Sequence, residues 1–138
     1  MHKSVWVGIA AAALTLAACG GGGSGDGAGD AARGEALFKQ STIGTASAPG
    51  CSTCHSLDGS QLVGPSQKGV VGRAEAAIKS ADYKGTAKTV EEYLKESIVS
   101  PDVFVEQGFT AGVMYQNFGK ELSAQEINDL VAFLMTQK

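Results

Sequence analysis

Residues 51–55 read CSTCH, with two cysteines three positions apart and a histidine directly after the second. Thiols and an imidazole at this spacing serve three kinds of chemistry: a redox-active dithiol, part of a zinc site, or a haem attachment site. Each of these sites needs something different from the rest of the chain. The surrounding sequence can therefore decide among them.

The first residues, MHKSVWVGIAAAALTLAAC, have the pattern of an export signal. Lys3 gives a positive start, and the apolar run over 5–18 is shorter than the roughly 20 residues that a membrane-spanning helix needs. The end of this run, LAAC, resembles the lipobox of bacterial lipoproteins. The resemblance implies a signal peptide over 1–18, cleavage before Cys19 and a lipid on Cys19. An ordinary signal peptide cut at an alanine is the alternative.

Residues 19–30, CGGGGSGDGAGD, contain almost nothing that could be buried and predict a flexible tether after the lipidated cysteine. From about Asp30 the composition is that of a globular protein, which predicts one domain over 31–138. Without Lys3 the chain has 10 basic residues against 14 acidic ones, a net charge of −4. It lacks the basic face of a nucleic-acid-binding protein. The acidity fits either simple solubility or docking to a basic partner.

Zinc and dithiol chemistry are poorly supported by the rest of the chain. If Cys19 carries lipid and His2 is lost with the signal, only Cys51, Cys54 and His55 remain, fewer than the four ligands of a structural zinc site. A thioredoxin-like dithiol would need a βαβ context. The flanking segments STIGTASAPG and SLDGSQLVGP are instead typical of loops.

A haem attachment site uses all five residues of CSTCH. Cys51 and Cys54 would form thioethers with the porphyrin vinyl groups, and His55 would bind the iron from one face. The chain is predicted to be exported and offers no other role for these two cysteines. The sequence therefore favours one covalent haem c.

A second iron ligand must come from elsewhere, and lysines apart the candidates are Met114 and Met135. Met135 extends a helix that begins with a capping box of Ser123 and Glu126 and has a regular apolar face, so we expect it to pack. Met114 lies in the glycine-punctuated loop GFTAGVMYQNFG, which can lay a thioether across a haem face. We therefore predict Met114 as the second metal ligand, with a buried loop hydrophobe as the alternative.

The segment from about Asp30 to Lys138 resembles class I monohaem cytochrome c. The resemblance rests on Gly34 and Phe38 in ARGEALFKQ, and on Leu130 and Phe133 near the end of the chain. It implies an all-α cytochrome c fold in which the N- and C-terminal helices cross over a covalently bound haem. A glycine at the crossing lets the two helices approach closely, and the aromatic rings fill the flanks.

Two further matches lie downstream of CSTCH. Gly64 and Pro65 match the Gly-Pro of the family, which implies that the Pro65 carbonyl accepts a hydrogen bond from the ligand His55. Arg73, eight residues beyond Pro65, matches an arginine that lies near a haem propionate in the family. A plain turn at Gly64-Pro65 and a solvated Arg73 are the alternatives.

The resemblance also covers a helix between these matches and the methionine loop. A capping box of Thr89 and Glu92 begins this helix, and Pro101 ends it. The sequence departs from the family in its long loop before Cys51, in the absence of tryptophan beyond the signal peptide, and in Tyr115, where many relatives have proline. Tyr115 bears on how firmly Met114 is held.

These observations predict a carrier of single electrons in a respiratory or photosynthetic chain, as a shuttle or as a subunit of a membrane complex, and not an enzyme. The predicted location is the extracytoplasmic, periplasmic side of a bacterial membrane, with a lipid anchor. The predicted partners are redox proteins or a membrane-embedded respiratory complex. The segment AGVMYQNFGKELSAQEINDLVAFL is similar to cytochrome domains of respiratory oxidases and to the monohaem lipoprotein subunit of alternative complex III. Two alternatives remain: a haem protein with an open or labile sixth site for small ligands or peroxide, and a dithiol redox lipoprotein.

Overall fold

A computed structural model of the protein describes residues 27–138. The predicted signal peptide, Cys19 and most of the predicted tether lie outside the described residues. Five α-helices carry the described part of the chain: α1 (Ala31–Phe38), α2 (Val70–Ile78), α3 (Val90–Val99), α4 (Phe118–Glu121) and α5 (Ala124–Leu134). Two strands of two residues each, β1 (Thr42–Ile43) and β2 (Ala48–Pro49), pair antiparallel between α1 and the CSTCH segment. The prediction of a helical fold is confirmed.

Side-chain caps define where three of these helices begin. The Asp30 carboxylate accepts a hydrogen bond from the backbone N–H of Arg33 at 2.8 Å and caps α1. Thr89 and Ser123 each form the predicted capping box with the glutamate three residues later, at the starts of α3 and α5. Such caps satisfy backbone N–H groups that the first turn of a helix leaves without partners. The helix starts are therefore set by local sequence.

Helices α1 and α5 cross where Gly34 meets α5. A Cβ atom at residue 34 would lie 1.9 Å from the backbone oxygen of Asp129, so only glycine permits this approach. Next to the crossing, the rings of Phe38 and Phe133 pack with their centroids 5.4 Å apart at an angle of 53°. Leu130, at 1% exposed, lies in the same interface. The predicted crossing of the terminal helices is thus present, at the residues that predicted it.

A buried carboxylate joins the start of α1 to α5. Asp129 is 4% exposed and accepts hydrogen bonds from the backbone N–H of Asp30 at 2.7 Å and from Arg33 Nε at 2.8 Å. The hydrogen bond from Arg33 lowers the pKa of Asp129 from 3.8 to about 2. The described end of the predicted tether also packs here, since the side chain of Asn128 donates to the carbonyl of Gly27 at 3.2 Å.

The sequence did not predict α2 or α4. Helix α2 follows Gly69, whose φ of 72° is left-handed and which provides no capping side chain. Helix α4 is a single turn between the methionine loop and α5. Within residues 27–138, no helix combines the length and apolar character needed to cross a lipid bilayer.

Candidate functional site

A cavity of about 300 Å³ lies among the CSTCH segment, α3, α5 and the loop that carries Met114. This volume is at the lower end of the range for ligand pockets in proteins. Large apolar side chains form most of its wall. They include Phe38, Tyr93, Leu94, Ile98, Phe104, Phe109, Leu130 and Leu134. Such a wall suits a large apolar group and excludes water from it.

The CSTCH segment presents its two cysteines and its histidine to this one cavity. Residues Cys51–Thr53 form a 3₁₀ turn, and the backbone N–H groups of Cys54 and His55 both donate to the carbonyl of Cys51, at 3.1 and 2.9 Å. This tight turn brings Cys51, Cys54 and His55 to the cavity wall together. A haem held by two thioethers and an imidazole needs these three side chains side by side, so the residues fit that group.

A hydrogen bond at one ring nitrogen fixes the orientation of His55. Its Nδ1 lies 2.8 Å from the carbonyl oxygen of Pro65, and the segment that carries Pro65 is fixed by a hydrogen bond from Gly64 N–H to the Cys54 carbonyl at 2.9 Å. Burial lowers the pKa of His55, while the hydrogen bond to Pro65 raises it by less. The imidazole is therefore neutral at pH 7, the form that binds a metal, with Nε2 left as the ligand atom.

Met114 lines the same cavity, and Met135 does not. The backbone N–H of Gly112 donates to the Asp102 carboxylate at 2.8 Å, and the side chain of Gln116 donates to the Met114 carbonyl at 2.8 Å. The first bond ties the loop to Asp102, and the second is a local bond within the loop. The structure therefore places the predicted ligands His55 and Met114 on one cavity, from segments about sixty residues apart in the chain.

Tyr115 ties the methionine loop to its surroundings. Its hydroxyl donates to Glu121 of α4, and its ring packs against Phe118 with the centroids 5.0 Å apart. Glu121 also accepts from the backbone N–H of Ala46, at 3.3 Å, in the loop between β1 and β2. A hydrogen-bonded tyrosine thus takes the place of the proline that many family members carry after the methionine.

Arg73 does not line the cavity. Its guanidinium donates to the carbonyl of Lys68 at 2.7 Å, to the carbonyl of Ser66, and from Nε to the Glu106 carboxylate at 3.2 Å. Glu106 does line the cavity, so Arg73 contacts the wall through Glu106 but is not part of it. Through the two carbonyl bonds, Arg73 stabilises the segment that follows Pro65. A role for Arg73 near a haem propionate stays a prediction.

The chemistry of Cys51 argues against the dithiol alternative. Burial raises the pKa of the Cys51 thiol to about 11, whereas a redox-active cysteine needs a lowered pKa to supply thiolate. The zinc alternative also lacks support in the part of the chain that the structure describes. No group of three or more His, Cys, Asp or Glu side chains is gathered there as a metal site would require.

Sequence reasoning missed several polar residues on the cavity wall, among them Gln67 and Glu106. Gln67 is 8% exposed, and its side-chain amide nitrogen is 2.9 Å from Nδ1 of His55. The sequence signal that could have indicated Gln67 was its position two residues after Pro65. A glutamine in a loop, however, carries no pattern that distinguishes a buried side chain from an exposed one.

Comparisons with known proteins give a consistent result. The sequence model of the family described as "Cytochrome c" matches residues 31–138. The chain is 33% identical to a cytochrome c2 of Rhodopseudomonas palustris over 125 residues, covering 79% of this chain and 99% of the relative. A second cytochrome c2 of the same organism is 32% identical with the same coverage. A "Cytochrome c-type cyt cy" of Rhodobacter capsulatus is 35% identical over 78 residues, covering 53% of this chain and 35% of that protein.

Proposed function

The chain belongs to the cytochrome c family, with covalent haem c as its cofactor, and from that premise we propose that it is a membrane-anchored carrier of single electrons with His55 and Met114 as iron ligands. Its donor and acceptor would be redox proteins or a membrane-embedded respiratory or photosynthetic complex. The observation that carries this proposal is the shared cavity. CSTCH and the methionine loop both line it, and its remaining wall is largely apolar.

The ligand pair suits electron transfer. The bound haem supplies the redox centre; the chain supplies the ligands and the apolar surroundings that set its potential. A neutral imidazole and a thioether bind both oxidation states of iron, so the ligand set need not change when an electron arrives. The hydrogen bonds that fix His55 and the methionine loop limit rearrangement of the two ligands. A thioether ligand and an apolar cavity both favour the ferrous state and raise the reduction potential.

The opening of the cavity offers a surface for partners. Val63 and Val113 line the cavity and are 59% and 54% exposed, so they lie at its rim. The segments that contain them, 59–67 and 107–119, carry no charged side chain. Asp102, which is exposed and also lines the cavity, adds an acidic group on another side of the opening. The uncharged apolar part around Val63 and Val113 favours close contact with an apolar patch on a redox partner.

The membrane anchor is supported by the sequence at 16–19, LAAC, and by the glycine-rich segment after it. The experiment is metabolic labelling with radioactive palmitate in a bacterial host, with fractionation of the membranes. We expect the protein to take up label and to sediment with membranes, and the Cys19→Ala variant to do neither. An unlabelled protein of native sequence would contradict the anchor and leave the electron-carrier proposal intact.

The experiment for the ligands compares Met114→Leu with Met135→Leu in protein made with c-type haem maturation. We expect the unmodified protein to be low-spin in both redox states, with the weak far-red ferric band of iron–methionine ligation. Met114→Leu should lose that band and become high-spin, because leucine has the size of methionine without the sulfur. Met135 does not line the cavity, so Met135→Leu should retain the spectrum.

The same spectra test the rival function. A high-spin spectrum of the unmodified protein would contradict methionine ligation and indicate a haem protein with an open sixth site. A low-spin Met114→Leu variant would mean that another side chain binds the iron.

A further inference from the structure

Gln67 is a buried polar residue beside the predicted iron ligand. Among the described residues with polar or charged side chains, it and Asp129 are the two that are buried. Asp129 joins α1 to α5, whereas Gln67 lines the cavity. Burial of an amide costs free energy unless the amide forms hydrogen bonds, so its partners define its role.

Three polar groups meet at this point. Nδ1 of His55 is 2.8 Å from the carbonyl oxygen of Pro65. The side-chain amide of Gln67 lies beside both groups, with its nitrogen 2.9 Å from Nδ1 and 3.3 Å from the Pro65 oxygen. The Gln67 amide is thus within hydrogen-bonding distance of the ring nitrogen that would not bind the iron.

Ligand chemistry decides which end of the amide faces His55. An imidazole that binds iron through Nε2 carries its proton on Nδ1, so Nδ1 is a donor. An amide NH₂ is also a donor, and two donors at 2.9 Å repel each other. The oxygen and nitrogen of a glutamine amide have nearly the same shape and exchange places by a half turn of the terminal torsion. The oxygen is therefore the atom that belongs next to Nδ1. In that orientation it also takes the nitrogen's place 3.3 Å from the Pro65 oxygen, so that two acceptors lie on either side of the one shared N–H.

We propose that Gln67 is a positioning residue whose side-chain oxygen accepts a second hydrogen bond from His55 Nδ1–H, beside the bond to the Pro65 carbonyl. The proposal rests on His55 ligation in the proposed function. The established pairing of the ligand histidine with the Gly-Pro carbonyl provides one acceptor for this N–H. In this chain the imidazole proton would be shared between two acceptors.

The backbone around Gln67 is held firmly enough for this role. Its N–H donates to the Ser56 carbonyl at 2.7 Å, and its own carbonyl accepts from Val70 N–H at 3.0 Å. Arg73 binds the carbonyls of the residues on either side, Ser66 and Lys68. The amide is therefore presented to His55 by a segment that is tied down at four points.

A second acceptor on Nδ1–H has an electronic consequence. It draws the proton away from the ring and makes Nε2 a more basic ligand. A more basic ligand stabilises ferric iron relative to ferrous iron and so lowers the reduction potential. Gln67 would thus oppose the thioether of Met114 and the apolar wall, which raise the potential.

The test uses the haem-loaded protein and two variants, Gln67→Leu and Gln67→Met, that keep the side-chain size and remove the amide. Two quantities are measured: the reduction potential, and the nitrogen and proton NMR signal of His55 Nδ1–H in the ferrous state. We expect both variants to shift the potential in the positive direction. We also expect the Nδ1–H signal to move and its proton to exchange faster with deuterium.

The matched control is Gln61→Leu, which removes an exposed glutamine six residues earlier in the same loop and should change neither quantity. An unchanged Nδ1–H signal in both Gln67 variants would overturn the proposal even if the potential rose, because removal of a polar amide from the cavity wall raises the potential by itself. So would a negative shift of the potential, because it would mean that the amide nitrogen competes for the Pro65 carbonyl. A low-spin spectrum together with either of these results would reject the role of Gln67 alone and leave the electron-carrier function standing.

Discussion

The backbone of Gly64 lies directly against the imidazole of His55. A Cβ atom at residue 64 would be 2.4 Å from Cε1 and 2.8 Å from Nδ1 of the ring. Both distances are shorter than any that real side chains adopt, and the ring cannot retreat without losing its 2.8 Å bond to the Pro65 carbonyl. The glycine of the Gly-Pro pair is therefore required by the position of the histidine, not only by a turn.

Gly64→Ala should displace the imidazole from its position. We expect less covalent haem in the purified protein, a loss of low-spin character, and destabilisation of about 1–3 kcal/mol, the usual cost of forcing an extra methyl into a packed site. Haem content, the ferric absorption spectrum and denaturant unfolding would measure these effects. A variant with full haem content and an unchanged spectrum would contradict the close contact between Gly64 and His55.

Substitutions at Gly34 and Gly72 distinguish a steric requirement for glycine from its low helix propensity. Gly34→Ala would place Cβ 1.9 Å from the Asp129 carbonyl oxygen and 2.9 Å from Cβ of Phe133, so we expect a loss of about 3 kcal/mol in the free energy of unfolding. Gly72 lies inside α2 with nothing within 4 Å of its Cβ position. Gly72→Ala should stabilise the protein by about 0.5–1 kcal/mol, because alanine favours helix. Equal effects of the two changes would contradict the crossing of α1 and α5 at Gly34.

The parts of the structure that could be predicted are those set by local pattern or supplied by the family resemblance. The capping boxes at Thr89 and Ser123 act within one helical turn, so the starts of α3 and α5 could be placed from sequence alone. The Gly34 and Phe133 matches concern residues far apart in sequence, and there the family resemblance supplied the pairing. The haem attachment site could be predicted from the spacing within CSTCH alone, without distant information.

The parts that the sequence did not predict depend on partners that are distant or carry no pattern. Helix α2 begins at a left-handed Gly69, and such a start has no side-chain signature. Glu106 accepts a hydrogen bond from Nε of Arg73, 33 residues earlier, and no sequence pattern indicated that contact. The contact of Gln67 with His55 could be recognised only from the folded structure, which brings the two side chains together.

Asp129 makes the joint between α1 and α5 sensitive to acid. Its pKa is lowered by the hydrogen bond from Arg33, from an ordinary 3.8 to about 2. A carboxylate with a lowered pKa in the folded state contributes stability that is present above the unfolded value, near pH 4, and is lost as the pH falls to about 2. The Asp129→Asn variant keeps the size and one acceptor oxygen but removes this charge.

We therefore expect Asp129→Asn to unfold more easily than the unmodified protein at pH 7, by on the order of 1 kcal/mol, since the exposure of Arg33 to solvent weakens the ion pair. The difference should shrink below pH 4 and vanish near pH 2. Denaturant unfolding of both haem-loaded proteins from pH 7 to pH 2 measures it. A difference that stayed constant with pH would mean that Asp129 acts through its hydrogen bonds alone.

Tyr115 should determine how readily an outside ligand replaces the methionine. Tyr115→Phe keeps the ring against Phe118 and removes the hydroxyl that donates to Glu121. A single hydrogen bond contributes roughly 0.5–1.5 kcal/mol, so a weakened methionine loop should bind added imidazole about 2- to 10-fold more tightly at the ferric iron. Titration of the ferric protein with imidazole, followed by loss of the far-red band, measures this affinity.

Tyr83→Phe supplies the matched comparison, because the Tyr83 hydroxyl also donates to a glutamate, Glu96, but outside the methionine loop. It should lower the stability of the fold without changing the affinity for imidazole. If both variants bound imidazole equally tightly, the effect would come from general loosening of the fold. A change confined to Tyr115→Phe would instead locate the restraint on Met114 in the bond between Tyr115 and Glu121.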